Sequence, residues 1–196
     1  MSTPRIMIVE DESIVALDMR VRLTRLGYQV VGIANTAREG IALASTQRPD
    51  LALMDIRLKG DMDGIETATI LRAEFQIPVV YLTAYADDTT LARAKPTQPL
   101  GYLIKPFEER ELHSTIEMAL YKIKAEAIQK EQAARMERLV ATIPDGVILL
   151  DAERRVMMAN VRAQCYLETL ADAGIGQVVT HLGVHALDDL IAEHGT

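Results

Sequence analysis

Leu51-Ala52-Leu53-Met54-Asp55 is the stretch that decides the fold: four apolar residues in succession, followed at once by a carboxylate. Three more short apolar runs occur in the first half of the chain, at 6–9, 79–82 and 102–104, and residues 28–33 form a β-branched stretch that also indicates a strand. Uninterrupted runs of this length are typical of strands that helices cover on both faces of a parallel sheet. The pattern therefore predicts five buried strands.

The segments between these runs have helical character. The predicted helices cover residues 13–26, 36–47 and 64–75. The first of them carries Ile14, Leu17 and Val21 at the spacing of one helix face. Alternating strands and helices predict an α/β fold, a doubly wound domain around a five-stranded parallel sheet.

Five chemically active side chains stand directly after the strands. Glu10 and Asp11 follow the first strand, Asp55 the third, Thr83 the fourth and Lys105 the fifth. Ligands bind outside the carboxyl ends of such strands, so these side chains are expected to converge. Three crowded carboxylates need a counter-ion, and Mg²⁺ prefers oxygen ligands. A carboxylate can attack phosphorus while a metal ion, an ammonium and a hydroxyl stabilise the charge, so the group predicts an aspartyl phosphate.

Five motifs appear in the order typical of a known family. They are Ile8-Val9-Glu10-Asp11-Glu12, Leu53-Met54-Asp55, Met62-Asp63-Gly64, Tyr81-Leu82-Thr83-Ala84 and Gly101-Tyr102-Leu103-Ile104-Lys105-Pro106-Phe107. With them, residues 4–122 resemble a response-regulator receiver domain of two-component systems, which implies a flavodoxin-like fold. The resemblance implies that Asp55 accepts phosphate from a histidine kinase or a histidine phosphotransfer protein.

The same resemblance implies a role for each site residue. The implied Mg²⁺ ligands are Glu10, Asp11, Asp55 and the backbone carbonyl of Arg57. Thr83 and Lys105 are implied to hold the phosphoryl group, Thr83 and Tyr102 to act as the switch, and Lys105–Pro106 to be a cis peptide. Arg57 and Tyr85 stand two residues past the aspartate and the threonine, beside the path of the hydrolytic water. Both side chains can obstruct that water, so slow dephosphorylation is predicted.

Two segments depart from the family pattern. The stretch from Asp55 to Gly64 is one residue longer than usual, with Lys59-Gly60-Asp61 in place of a proline turn. Pro96 and Pro99 predict a shortened fourth helix, because proline cannot occupy a helix interior without breaking it.

The second half of the chain begins with a long helix. Residues 108–142 contain no glycine or proline, and Ile116, Leu120, Ile123 and Ala127 form an apolar stripe. The helix is interpreted as a signalling helix or coiled-coil linker that pairs in a homodimer; the alternative is a solvated linker. The predicted domains are a receiver at 1–122, this helix at 108–142 and a third module at 143–196.

The third module resembles the start of a PAS sensor domain. Residues 147–150 and 155–159 predict a hairpin, followed by Asn160. The strands that complete a PAS domain are not recognisable, so a small, incomplete α+β module that binds no cofactor is expected. The whole arrangement resembles the receiver–PAS regions of hybrid sensor histidine kinases.

Composition limits the function. The net charge of −7 argues against a broad nucleic-acid surface. The single cysteine, Cys165, excludes an intrachain disulfide and is expected in a core. With no long apolar run and no signal peptide, a soluble cytoplasmic protein is expected. No histidine lies in a kinase phosphoacceptor box and no Gly-rich ATP-binding region is present, so the chain is predicted not to be an enzyme.

Mg²⁺-dependent phosphorylation of Asp55 that switches a dimeric helix and PAS output is the leading interpretation. Two alternatives remain: a receiver coupled to an RNA-binding antiterminator, and a phosphate sink without output. The acidic character of residues 137–196, with nine acids and four arginines, speaks against the first. The long helix speaks against the second.

Overall fold

The computed structural model describes residues 3–84, 88–171, 173–187 and 189, and forms two compact units, 1–126 and 127–196. The first unit is built on five parallel strands: β1 (Arg5–Val9), β2 (Gln29–Ala34), β3 (Leu51–Asp55), β4 (Val79–Thr83) and β5 (Gly101–Ile104). Their order in the sheet is β2-β1-β3-β4-β5. The predicted doubly wound α/β sheet is confirmed.

Helices cover both faces of this sheet. They are α1 (Ser13–Arg25), α2 (Ala37–Gln47), α3 (Gly64–Phe75), α4 (Asp88–Ala94) and α5 (Glu109–Thr142). Residues of α2 and α3 pack on one face, and residues of α1 and α5 on the other. The central strands are buried throughout because each is covered twice, which explains their unbroken apolar runs.

Helix α1 faces the sheet with a different set of residues from the one the sequence suggested. Ala16, Met19 and Leu23 are buried, whereas Ile14 is 85% exposed and both Leu17 and Val21 are exposed. The helix carries two apolar stripes with the same 3-4 spacing, and only packing selects between them.

Helix α4 has seven residues and continues into a 3₁₀ helix, Lys95–Thr97, whose second residue is Pro96. The predicted shortening is confirmed. Arg72 of α3 fixes this segment, since its guanidinium donates to the carbonyl of Thr97 at 2.6 Å. The Tyr81 hydroxyl lies 2.9 Å from Thr97 Oγ1 inside the protein.

The second unit holds two short hairpins and a helix beside the end of α5. Strands β6 (Ile148–Leu150) and β7 (Val156–Ala159) pair antiparallel, as predicted, and α6 covers Val161–Leu170. A second hairpin was not anticipated: β8 (His181–Leu182) pairs with β9 (His185–Ala186). Its strands are too short to leave a periodic signal. Cys165 is exposed, so the expectation of a core position was wrong.

Asn160 organises this unit. Its side-chain oxygen accepts from the backbone N–H groups of Ala163, which caps α6, and of Val147, while its amide donates to the Asp145 carbonyl at 2.8 Å. The described helices include none that combines the length and the apolar character needed to cross a bilayer.

Candidate functional site

The carboxyl edge of the first sheet gathers the predicted residues. Backbone bonds continue the parallel pairing one residue past the strands: Ile56 N–H donates to the Leu82 carbonyl at 3.1 Å, and Lys105 N–H to the Thr83 carbonyl at 2.8 Å. The side chains that follow β1, β3, β4 and β5 are therefore held at one edge, as the strand order requires.

Lys105 is the centre of the site. Its ammonium lies 2.5 Å from Glu10 Oε2 and 2.6 Å from Asp55 Oδ2. Glu10 is fully buried and Asp55 nearly so. Charge-assisted hydrogen bonds of this length are the strong kind, and burial strengthens them further. A single lysine thus forms ion pairs with two of the three predicted acids, an arrangement called the Lys105 clamp below.

Burial and crowding shift the protonation equilibria of this group. Burial, reinforced by the neighbouring Asp55 carboxylate, raises the pKa of Glu10 to about 7, although Lys105 opposes the shift. Burial alone would lower the pKa of the Lys105 ammonium, but its bonds to Asp55 and Glu10 outweigh burial and raise it. Concentrated negative charge at this edge therefore requires cations.

The donor set suits a hard divalent cation. One carboxylate oxygen from each of Glu10, Asp11 and Asp55 lies within 4.8 Å of the others. Oxygen ligands of this kind are those that Mg²⁺ prefers, and the cleft outside them, about 600 Å³, leaves room for its waters. Asp11 and Asp55 line that cleft, together with Arg57, Thr83 and Lys105.

Two features of the backbone hold Asp55 in place. The N–H of Arg57 donates to Asp55 Oδ1 at 2.8 Å. Gly64, the first residue of α3, is pressed against the strand: a Cβ there would lie 1.8 Å from the Asp55 carbonyl oxygen. Asp63 caps the same helix and forms a capping box with Glu66.

A family model described as the response regulator receiver domain matches residues 6–117. The chain belongs to the response regulator receiver domain family. The chain is 34% identical over 136 residues to transcriptional regulatory protein PdtaR of Mycobacterium tuberculosis, covering 69% of this chain and 66% of that protein. It is 34% identical over 117 residues to phyllosphere-induced regulator PhyR of Methylorubrum extorquens, covering 59% and 43%. The chain thus spans just under two thirds of the first relative and under half of the second.

Solved structures agree on the receiver fold. The signal receiver domain of a modulated diguanylate cyclase from Desulfovibrio desulfuricans is 42% identical, with a TM-score of 0.61 over 64% of this chain and 99% of that one. The N-terminal domain of a response regulator/sensory box/GGDEF 3-domain protein from Carboxydothermus hydrogenoformans is 34% identical, with a TM-score of 0.58 over 63% and 98%.

The remaining receiver residues fall at the same edge or beside it. Thr83 is buried at the end of β4. Tyr102 is half-buried, with its ring 5.8 Å from that of Tyr81, and burial raises its pKa. The Lys105–Pro106 peptide is cis, as the resemblance implied. Tyr85 lies outside the described residues.

Sequence reasoning missed two ion pairs that border the receiver site. Lys59 Nζ lies 2.9 Å from Asp11 Oδ2, and Arg93 of α4 lies 2.5 Å from Asp63 Oδ2. The Arg93 bond and two backbone N–H groups hold the pKa of Asp63 below its ordinary value despite partial burial. Asp63 followed by Glu66 is a capping-box signal that the sequence contains, but no local pattern indicates its arginine partner.

Proposed function

We propose that the chain is the phosphoacceptor of a two-component phosphorelay, and that Asp55 receives its phosphoryl group from a histidine kinase or a histidine phosphotransfer protein. The observation that carries the proposal is the Lys105 clamp on Glu10 and Asp55 beside Asp11. The chain itself is proposed to be no enzyme beyond this transfer and its reversal by hydrolysis.

The transfer is a displacement at phosphorus. A carboxylate oxygen of Asp55 forms the new P–O bond while the P–N bond of the phosphohistidine breaks; the imidazole nitrogen keeps the electron pair and takes up a proton from water. Mg²⁺ held by Glu10, Asp11, Asp55 and the Arg57 carbonyl would supply positive charge to the phosphoryl oxygens.

Lys105 has a donor left for the product. An ammonium carries three N–H groups, and in the described part of the chain two point to Glu10 and Asp55. The third can bind a phosphoryl oxygen, and the Thr83 hydroxyl stands on the neighbouring strand end. These contacts would stabilise the transferring group and then report its presence to Thr83 and Tyr102, the proposed switch.

Phosphorylation by a small phosphodonor tests the assignment. The chain should become labelled with acetyl phosphate and Mg²⁺, as seen by a mobility shift in phosphate-affinity electrophoresis. Asp55→Asn should abolish the shift. Asp61→Asn makes the same chemical change at an exposed position of the next loop and should leave it intact. Labelling that survives in Asp55→Asn would exclude this residue as the acceptor.

The output is proposed to run through a homodimer of α5. Ile116 and Leu120, part of the stripe suggested by the sequence, are buried on the receiver sheet and cannot meet a second copy. A different set is exposed: Met118, Tyr121, Ile128 and Leu139. Their intervals of three, seven and eleven residues follow the heptad rule, which favours pairing of two such helices.

A charge placed in this stripe should separate the copies. Ile128→Glu is expected to convert a dimer to a monomer in sedimentation of the full chain. Ala134→Glu adds the same charge at an exposed helix position outside the heptad stripe and should leave the dimer unchanged. Equal sedimentation of the two variants would show that the exposed stripe of α5 does not form the dimer interface.

Residues 143–196 are proposed to be a partial PAS-like module that receives this signal. One support is the β6–β7 hairpin, which is followed by Asn160 and α6. The other is the similarity of the receiver to the N-terminal domain of the Carboxydothermus hydrogenoformans protein, a response regulator/sensory box/GGDEF 3-domain protein. We expect no bound chromophore; visible absorption of the purified chain would contradict that.

Slow dephosphorylation remains a prediction about Arg57 and Tyr85. Arg57 is exposed and lines the cleft outside Asp55. Its guanidinium can both obstruct water and pair with the phosphoryl group. Arg57→Asn and Tyr85→Ala should speed the decay of phosphorylated chain; decay at the wild-type rate in both would show that they do not control water access.

A receiver coupled to RNA is the second candidate. One relative is named a transcriptional regulatory protein, and its similarity extends over 136 residues. The excess of acids over arginines in 137–196 disfavours this function. Retention of structured RNA by the phosphorylated chain at moderate salt would favour this RNA-coupled function over the helix and PAS output.

A further inference from the structure

The loop between β3 and α3 presents a short exposed tip. Leu58 is buried and Met62 packs on the same core, so the loop is fastened on both sides of Lys59-Gly60-Asp61. Gly60 has φ +126°, a backbone conformation that residues other than glycine rarely adopt. Because these flanks are packed in place, the loop holds Lys59 within reach of the acidic group.

Lys59 reaches the acidic group from the solvent side. Its ammonium lies 2.9 Å from Asp11 Oδ2; the Lys59 side chain is 82% exposed and the Asp11 side chain only 10%. Lys105 binds the other two carboxylates from inside the protein. The three acids are therefore paired with two lysines that have separate partners, Lys105 in the interior and Lys59 at the rim of the cleft, and their charge is only partly neutralised.

We propose that the Lys59 ammonium competes with the divalent cation for the Asp11 carboxylate. Binding of the cation then displaces the ammonium from Asp11. The inference rests on the proposed metal site. Mg²⁺ binds carboxylate oxygen at about 2.0–2.1 Å and keeps its remaining waters around it. An ammonium at hydrogen-bond distance from the same carboxylate crowds that shell and repels the ion. Lys59 thus sets the metal concentration at which the site fills.

The two lysines differ in how easily they can leave their carboxylate partners, because they differ in burial. Lys59 is exposed, so it can leave Asp11 and regain full hydration, whereas Lys105 has two buried partners to abandon. Exposed ion pairs are weak, so the competition should change the Mg²⁺ dissociation constant by roughly two- to five-fold and not by orders of magnitude. Salt screens exposed charges, so the effect should shrink as ionic strength rises.

Arg38 offers a matched control. Its guanidinium lies 3.6 Å from Asp61 Oδ2 at the same loop tip, and both groups are exposed. Lys59→Gln and Arg38→Gln each remove one positive charge from this region, but only the first frees Asp11. A larger effect of Lys59→Gln than of Arg38→Gln would show that the charge beside Asp11 matters more for cation binding than a positive charge elsewhere at the loop tip.

The test is calorimetric titration of the full chain with MgCl₂ at low ionic strength. Lys59→Gln should bind roughly two- to five-fold more tightly than wild type. Arg38→Gln should stay close to wild type, and the gap should narrow in about 0.5 M salt. Equal affinities of Lys59→Gln and Arg38→Gln, in a wild type that does bind Mg²⁺, would overturn the competitor role alone.

A further variant separates this failure from failure of the metal site. Asp11→Asn should weaken Mg²⁺ binding whatever Lys59 does. If wild type and Lys59→Gln both show no binding, or if Asp11→Asn binds as wild type does, the metal site itself is wrong and the competitor role falls with it. Tighter binding in Lys59→Gln together with loss in Asp11→Asn supports both.

Discussion

Gly64→Ala should displace the backbone that carries Asp55, the proposed phosphoacceptor. The new Cβ would lie 1.8 Å from the Asp55 carbonyl oxygen and 3.0 Å from Ile56 Cα. These are backbone atoms of β3 and its exit, so no side chain can rotate out of the way. The contact becomes tolerable only if the start of α3 and the end of β3 separate by more than about 1.2 Å.

The energy follows from three terms. Overpacking costs typically about 1–3 kcal/mol. Separation also weakens the bond from Gly64 N–H to the Ile56 carbonyl, 3.0 Å long, by about 1 kcal/mol. Alanine gains at most about 1 kcal/mol of helix propensity, and less at a first helical position. Together these terms give a net destabilisation of about 1–4 kcal/mol, with Asp55 displaced at its backbone.

Two assays measure the result. The urea midpoint of the receiver unit should fall by about 0.5–2 M, given a slope of about 2 kcal/mol per molar. Acetyl phosphate should label the folded variant more slowly than wild type. Gly174→Ala, whose Cβ would meet only Gln177 Oε1 at 3.8 Å, should change stability by less than about 0.5 kcal/mol. A Gly64→Ala variant as stable and as readily labelled as wild type would refute the close-approach argument.

Three further predictions concern the supports of the site and of the second unit. The pKa of Asp63 is lowered in the folded state, so its stabilising contribution is complete above the ordinary value of 3.8 and is lost as pH falls through the lower, folded-state value. Urea unfolding across this acidic range should show a shallower pH dependence in Arg93→Gln than in wild type. Tyr81→Phe removes the bond to Thr97 and should cost about 1 kcal/mol in the same assay, with the 3₁₀ segment loosened; an unchanged midpoint would contradict it. Asn160→Ala should cost about 2–3 kcal/mol and speed hydrogen exchange at the Val147 and Ala163 amides, whereas an effect confined to Ala163 would reduce Asn160 to a helix cap.

Part of the site was predictable because it depends on chain order alone. Once the apolar runs are placed as parallel strands, the residues after them must share one edge. Glu10, Asp55 and Lys105 were placed in this way, and the structure brings them into contact. The shortened α4 was equally local, since Pro96 restricts the backbone wherever it occurs.

Other features were decided only by packing. Ile14 belongs to a helix stripe that looks as good as that of Ala16, yet it faces outward. Ile116 and Leu120, part of the apolar stripe of the long helix, are used by the receiver core. Periodicity identifies an amphipathic helix, but it does not say which of two apolar stripes meets the sheet.

The sequence by itself therefore determined the α/β order, the edge at which the acids gather and the aspartate proposed to accept phosphate. Only the tertiary structure decided which cation meets which acid: Lys105 with Glu10 and Asp55, Lys59 with Asp11. The physical reason is the separation along the chain over which each kind of interaction acts. Strand and helix formation follow from neighbours a few residues apart, whereas an ion pair forms wherever the fold brings opposite charges within about 4 Å, and chain separation does not limit it.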